Sequence, residues 1–245
     1  MKIEGSVVLV TGGNRGLGAE YVRHLLSRGA SKVYVGARNA ELINALPSLT
    51  GGRAIPISLD ITKASDISAA VESCSDITML INNAGIALKS SILADNSLEN
   101  AKAEFETNVW GPFNLSKAFA PVLAKNGGGA IVNVLSAASW FSMKEVATYA
   151  MSKSAAWSFT NGLRIDVAPS NTLVVAVHAG FIDTEMAANV KMDKTSPFQV
   201  VDRTLNAVEA GVSEVLADDS SVFIKNNLPN HIETFYPLIA RHDYT

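Results

Sequence analysis

Tyr149 and Lys153 stand four positions apart in the run Tyr149-Ala150-Met151-Ser152-Lys153. On a helix that spacing places a phenol and an ammonium one turn apart on a shared face. A free tyrosine ionises near pH 10, so exchanging a proton near pH 7 asks for a displacement of ~3 pH units, about 4 kcal/mol. A neighbouring ammonium pushes the phenol in that direction. Ser136 lies thirteen positions ahead of Tyr149, at the end of the apolar run Ala130–Leu135. Its hydroxyl can donate to a carbonyl oxygen and can also accept. One Tyr-x-x-x-Lys spacing is commonplace, but a serine at a strand end just before it makes a set suited to proton exchange at a carbonyl or carbinol oxygen.

Such a set needs a reaction partner, and the N-terminal stretch supplies a place for one. Thr11–Gly18 reads Thr-Gly-Gly-Asn-Arg-Gly-Leu-Gly, after the apolar run Val7–Val10 and before a helical pattern with apolar Ala19, Val22, Leu25 and Leu26. Strand, glycine turn and helix aim free backbone N–H groups and a positive helix end at one point, where a pyrophosphate fits. Gly12 lets the turn reverse, Gly16 leaves room for a ligand and Gly18 lets the helix approach the strand. Contacts are expected from Gly12, Asn14, Arg15, Gly16, Leu17 and Gly18.

The second strand ends Val35-Gly36-Ala37-Arg38-Asn39. A carboxylate that would bind a ribose 2′-hydroxyl is missing there. Arg38 takes its place, and Arg15 sits in the glycine loop. Two guanidiniums suit a 2′-phosphate, so the cofactor expected is NADP(H) rather than NAD(H). The oxidised nicotinamide ring, being positive, would also push Tyr149 toward ionisation. After the third strand, Asp60 either accepts from the adenine amino group or caps the following helix, and Ile61 would pack on the ring. After the fourth, Asn82-Asn83-Ala84-Gly85 allows a tight turn. Asn82 reads as structural, while Asn83, Ala84 and Gly85 would line the ribose.

The elements that must hold these residues alternate regularly. Apolar runs at Val33–Val35, Ala54–Leu59, Ile77–Ile81, Ala130–Leu135 and Leu173–Val177 are separated by helical patterns. This is an α/β chain with a single doubly wound parallel sheet of about seven strands and helices on both faces. Ligands of such sheets lie beyond the carboxyl ends of the strands. Ala101–Lys125 reads as one long helix with Pro112 inside it. Proline cannot donate to the carbonyl four residues back, so a bend and a free carbonyl at Asn108 are expected, well placed to hold a water.

The 245 residues carry a net charge of -3, one cysteine and 48% apolar residues. Nothing reads as a linker, so residues 1–245 are expected to form one domain. The acidic balance argues against a nucleic-acid partner, and the single Cys74 excludes an internal disulfide. Lys2 and Glu4 leave no signal peptide before the first strand. The uncharged interval Asn126–Met143 holds three glycines and two asparagines, a poor membrane span. A cytoplasmic, membrane-free protein is expected. The four histidines are scattered, with no ligand-spaced carboxylates, so no metal site is expected.

Taken together, Thr-Gly-x-x-x-Gly-x-Gly at 11–18, Asp60, Asn-Asn-Ala-Gly at 82–85, Asn108, Ser136 and Tyr-x-x-x-Lys at 149–153 resemble the short-chain dehydrogenases/reductases, over roughly residues 5–185. The resemblance implies a Rossmann-type fold with Tyr149 as acid/base. Lys153 would bind the nicotinamide ribose and lower the phenol, Ser136 would orient the substrate carbonyl, and Asn108 would hold a relay water through its backbone carbonyl. Ser139 stands closer to Tyr149 than the family's serine does. His178-Ala179-Gly180-Phe181-Ile182-Asp183-Thr184 resembles the family's Pro-Gly segment under the nicotinamide, with Ala179 in place of proline. Gly180, Ile182 and Thr184 would then contact the cofactor.

Residues 183–197 read as a substrate lid. Leu88, Trp140, Phe141, Met143, Phe181 and Met186, with Ser136, would form an apolar pocket for an aryl or alkyl ketone or aldehyde. A helix from Pro197 to about Ala210 and a strand Glu214–Ala217 follow, while Leu228–Thr245 has no assignable counterpart. The helices at 101–125 and 150–168 resemble those that pair family members into dimers and tetramers, so a homo-dimer or homo-tetramer is expected. The activity implied is an NADPH-dependent carbonyl reductase, reversible as an alcohol dehydrogenase. Its rival is a regulator that senses NADP(H) without turnover, which would need only the platform. Length and glycine spacing disfavour an epimerase or dehydratase of the longer branch.

Overall fold

The computed structural model of the chain describes residues 1–39 and 50–237. Seven strands make one sheet: β1 (Val7–Thr11), β2 (Lys32–Ala37), β3 (Ala54–Ser58), β4 (Met79–Asn82), β5 (Gly129–Val134), β6 (Thr172–His178) and β7 (Glu214–Leu216). Their order is β3-β2-β1-β4-β5-β6-β7 and every pairing is parallel. The described helices are α1 (Gly16–Ser27), α2 (Ala64–Ser73), α3 (Ser97–Phe105), α4 (Gly111–Lys125), α5 (Ala147–Val167), α6 (Pro197–Ala210), α7 (Asp219–Asn226) and α8 (His231–Phe235). This is a Rossmann-type doubly wound sheet, as the alternation of apolar runs and helical patterns implies.

The apolar runs are continuous because the sheet is covered twice. Val8, Val10, Val33, Val35, Met79, Ile81, Val132, Val175 and Val177 face one core, with Tyr21, Leu25, Val201 and Leu205 of α1 and α6. The intervening Leu9, Tyr34, Leu80, Ile131 and Val174 face the other, with Leu115, Phe119 and Leu123 of α4. Period-two alternation therefore persists inside runs with no polar residue to reveal it. Cys74 lies fully buried in the second core. None of the described helices is long and apolar enough to cross a membrane.

The expected helix 101–125 is two helices. It starts earlier, at Ser97, and a π turn over Glu106–Trp110 separates α3 from α4. Pro112 is the physical reason: it has no N–H for the carbonyl four back, so the ladder slips by a residue just before it. Gly111 N–H accordingly bonds Glu106 O, five positions earlier. The helix after Pro197 ends at Ala210, with Ser196 accepting from Gln199 N–H at its start and Gly211 left-handed at its end.

The strand order reverses between β1 and β4, and one hydroxyl fastens that junction. Thr11 Oγ1 accepts from the N–H groups of Asn83 and Ala84, both at 3.0 Å, and donates to Ile81 O at 3.3 Å. Asn83 Nδ2 returns the contact, donating to Thr11 O at 2.9 Å and Gly12 O at 3.3 Å. Beneath, Asn82 Nδ2 donates to Ser116 Oγ and Asn133 Oδ1, and Asn133 Nδ2 donates to Thr160 Oγ1 at 2.9 Å. Asn82 is structural, and Asn133 joins it. Thr11→Val keeps the shape while stranding two N–H groups, so urea unfolding should show a loss of about 2–3 kcal/mol.

Candidate active site

At the carboxyl end of β1 the chain turns through Gly12 and enters α1. Arg15 is the residue before the helix and makes no side-chain cap, so the first-turn N–H groups at Gly16, Leu17 and Gly18 point outward without intrahelical partners. A Cβ at Gly18 would stand 2.1 Å from Gly12 O, so only glycine lets the helix sit this close. Asn14 is half-buried beside this turn, and Arg38 is exposed at the end of β2. Arg15 reaches across the cleft to form an exposed ion pair with Glu185.

Several of the expected ligand contacts have their side chains engaged within the protein. Asp60 Oδ1 accepts from Thr62 N–H at 3.0 Å and Thr62 Oγ1 at 2.7 Å, and these bonds lower its carboxyl below the usual range. It caps the turn, while the residue preceding α2 is Lys63, with no side-chain cap. Ile61 is buried against Gly111, whose Cβ would stand 2.8 Å from Ile61 Cδ1. Asn83 holds the glycine turn by its side chain. Gly85 sits where a Cβ would come 3.1 Å from Asn108 Oδ1 and 3.7 Å from Lys153 Nζ, which brings three expected site residues to one point.

Ser136 follows β5, accepting from Ala138 N–H at 3.1 Å and donating to Ala179 O at 3.4 Å. Tyr149 and Lys153 lie in the first two turns of α5, as their spacing implies. Burial pushes the Tyr149 phenol up to about 12; a hydrogen bond with Ser136 pulls it down, and the charge of Glu104 adds to the rise. Lys153 Nζ donates to Val134 O at 2.9 Å and lies 5.7 Å from the Tyr149 ring centre. Burial pulls it down to about 8. One cause thus moves both groups toward neutrality, since low dielectric disfavours either charge. Asn108 lies in the π turn, and its side chain ties down the loop after β4: Oδ1 accepts from Ile86 N–H, while Nδ2 donates to Ile86 O and Ser152 Oγ.

Past β6, Gly180 N–H donates to Asp218 Oδ2 at 2.7 Å, and Thr195 Oγ1 donates to the same oxygen at 3.2 Å. Ile182 and Thr195 form a bridge that closes the neck of the intervening loop. Thr184 lies across from Gly16, 3.5 Å from where its Cβ would be. Asp218, with Ser221, also caps α7 reciprocally. Asp-x-x-Ser before an apolar run is the signal that could have revealed the cap, though nothing local announces its tie to Gly180.

Of the expected pocket residues, Leu88 and Met186 are exposed, and Phe141, Met143 and Phe181 are half-buried. Trp140 stacks on His178 at 3.8 Å, and Lys225 Nζ lies 4.7 Å from its ring centre, so the ring is engaged within the protein. Phe141 packs on Phe235 at 5.5 Å, and Tyr236 Oη accepts from Ser142 N–H at 2.8 Å. The C-terminal segment as far as Tyr236 is therefore a wall of this region; residues 238–245 lie outside the described ones. Among the described residues no cluster of His, Cys, Asp or Glu is arranged to hold a metal.

The family pattern described as short chain dehydrogenase matches residues 6–195. The chain is 39% identical to a short chain dehydrogenase from Burkholderia cenocepacia J2315 solved in complex with NADP, covering 97% of this chain and 98% of that one at a TM-score of 0.91. It is 28% identical to the ketoacyl reductase HetN of Nostoc sp., over 90% of this chain and 81% of that protein. It is 32% identical to the trans-4-hydroxycyclohexanecarboxylate dehydrogenase of Sinomonas cyclohexanicum, over 78% and 77%. The chain belongs to the short-chain dehydrogenase/reductase family. It is an oxidoreductase acting between carbonyl and alcohol groups with a nicotinamide dinucleotide.

His178 is fully buried, with Nδ1 3.0 Å from Ser136 O, and burial pulls its imidazole down to about 4. In the unfolded chain the ring takes a proton near pH 6.5, which the folded chain refuses until about pH 4. Stability is therefore lost as pH falls through that window, by about 3 kcal/mol at its lower end. Unfolding free energies from pH 7 to 4 should fall less steeply in His178→Asn than in the wild type.

Proposed function

We propose that this chain is an NADP(H)-dependent carbonyl reductase, reversible as an alcohol dehydrogenase, acting on apolar ketones, aldehydes and secondary alcohols. The observation that carries this reading is the gathering of Ser136, at the end of β5, with Tyr149 and Lys153, one turn apart in α5, Lys153 lying against the Gly85 turn that packs beside the glycine loop before α1. Free helix-start donors and the close Gly12–Gly18 approach fit a pyrophosphate. Arg38, with no acid at the end of β2, favours a 2′-phosphate, which Arg15 would join on leaving its exposed pair with Glu185, and the NADP complex of the Burkholderia relative supports that preference. Asn83, Ala84 and Gly85 offer mainly backbone to the ribose, as does Ile61 to the adenine beside Asp60. Gly180, Ile182 and Thr184 would border the nicotinamide.

A bound nicotinamide supplies the hydride. Ser136 donates to the substrate oxygen and aligns it, and Tyr149 delivers its proton to that oxygen as charge develops. Lys153, as an ammonium, favours the phenolate left behind and can hold ribose hydroxyls. The Asn108 backbone carbonyl would anchor a relay water toward Lys153. Residues 183–197, closed at the neck by the Ile182–Thr195 bridge, would act as the lid over Leu88, Phe181 and Met186. Trp110, Phe113 and Met151 leave an apolar face exposed on the π turn, α4 and α5, consistent with a homo-dimer or homo-tetramer.

Following NADPH absorbance against ketones and aldehydes of graded size tests the reading. Tyr149→Phe should lower kcat about 10²-fold to 10⁴-fold while leaving NADPH affinity intact. Tight NADPH binding with no turnover across the panel would favour a sensor instead. Arg38→Asp should reduce the preference for NADPH over NADH by about 10-fold to 100-fold, read as the ratio of kcat/KM values.

A further inference from the structure

Asp218, between β7 and α7, is only 4% exposed, and the two oxygens of its carboxyl group have different tasks. Oδ1 accepts from Ser221 N–H at 2.7 Å and so caps α7. Oδ2 takes no part in the cap: it accepts from Gly180 N–H at 2.7 Å and from Thr195 Oγ1 at 3.2 Å. Capping a helix needs one oxygen, which serine or asparagine supplies as well as aspartate. Aspartate is almost never fully buried unless paired. The second oxygen is therefore explained by what it binds, not by the helix it precedes.

Gly180 and Thr195 are the two ends of one loop. Gly180 follows β6, and the chain returns beside it: Thr195 N–H donates to Phe181 O at 2.8 Å, and Asp183 N–H donates to Thr195 O at 2.9 Å. A single oxygen thus bonds the entry of this loop and its exit. Glycine at the entry permits the approach, since a Cβ there would stand 3.0 Å from Ser220 Cβ in the first turn of α7. The anchor is itself fixed by the sheet. Leu216 pairs with His178, and Ala217 N–H donates to His178 O at 2.8 Å. From there the loop runs to Thr184, which lies across from Gly16.

We infer that Asp218 is a positioning residue for the nicotinamide half of the cofactor site: one carboxylate oxygen holds the Gly180 turn and the exit of the lid in a fixed relation before any ligand arrives. This deepens the reductase reading and rests on Gly180, Ile182 and Thr184 bordering the nicotinamide. A segment fixed in advance loses less freedom on binding, so its anchor adds to affinity. The adenosine half is served by other elements, the turn Gly12–Gly18 and the end of β2 with Arg38. The contribution of Asp218 consequently falls on the nicotinamide end.

The test uses the full chain and two nucleotides, NADPH and adenosine 2′,5′-bisphosphate, which carries the 2′-phosphate but no nicotinamide. Affinities are measured by calorimetry, and amide exchange at Gly180 is followed by NMR without ligand. Asp218→Ser keeps one oxygen to cap α7 and removes the shared acceptor. Its Gly180 amide should exchange about tenfold faster. NADPH should bind about tenfold more weakly, and the bisphosphate no more weakly than to wild type. Ser221→Ala alters the cap alone and should leave the Gly180 rate and both affinities unchanged. An unchanged Gly180 rate or NADPH affinity in Asp218→Ser, or an equal loss for both nucleotides, overturns the inference. Should that variant not fold, Thr195→Val decides. It removes the exit bond only, and NADPH affinity should fall about threefold with the bisphosphate unchanged; no fall overturns the inference. A wild type that binds neither nucleotide would count against the cofactor reading separately, because the Gly180 rate reads the anchor without ligand.

Discussion

The contact between the ends of β1 and β4 is the constraint on which the rest of the site depends. Where the strand order reverses, neighbouring parallel strands send their chains to opposite faces and a crevice opens between them. A crevice of bare backbone would leave polar groups unsatisfied. The Thr11 hydroxyl and the Asn83 amide satisfy them by bonding each to the other's segment. The glycine turn and the Asn83–Gly85 segment are consequently one body. Gly85 faces Asn108 and Lys153 with no room for a side chain between them, which sets the nucleotide platform beside the reacting groups.

Burial governs the chemistry of those groups more than their mutual distance does. The same exclusion of water raises the Tyr149 phenol and lowers the Lys153 ammonium, so both lean toward neutral forms in the unliganded chain. A phenol that keeps its proton suits reduction, and an easily displaced lysine responds to whatever polar groups enter beside it. Around them the fold is rigid where it can be. Asp218 ties the Gly180 turn to Thr195 and to the start of α7, and the aromatic set of Phe141, Phe223 and Phe235 brings the C-terminal helix against the loop after Ser136.

Much of this was legible along the chain. The strands were visible because a sheet covered on both faces needs unbroken Val, Ile and Leu runs. α6 was visible because Pro197 opens it and Gly211 closes it. Pro112 announced an irregularity, but its form as a π turn, and the start of α3 at Ser97, were not local matters. At Gly111 the chain also passes so close to Ile61, far earlier in the sequence, that a Cβ would stand 2.8 Å from its Cδ1, a contact no local pattern announces.

The sequence by itself determined the alternation of strands and helices as far as Ala217, the glycine turn, and a phenol and an ammonium one helical turn apart. These follow from interactions within a few residues, where backbone geometry and side-chain period decide. Only the tertiary structure decided that Trp140 stacks on His178, that Asp218 bonds the Gly180 N–H, that Tyr236 accepts from Ser142, and that Glu104 is buried with Leu88 N–H on its carboxyl. Such roles depend on partners far away in the chain and on how completely water is excluded, and neither is expressed in local spacing.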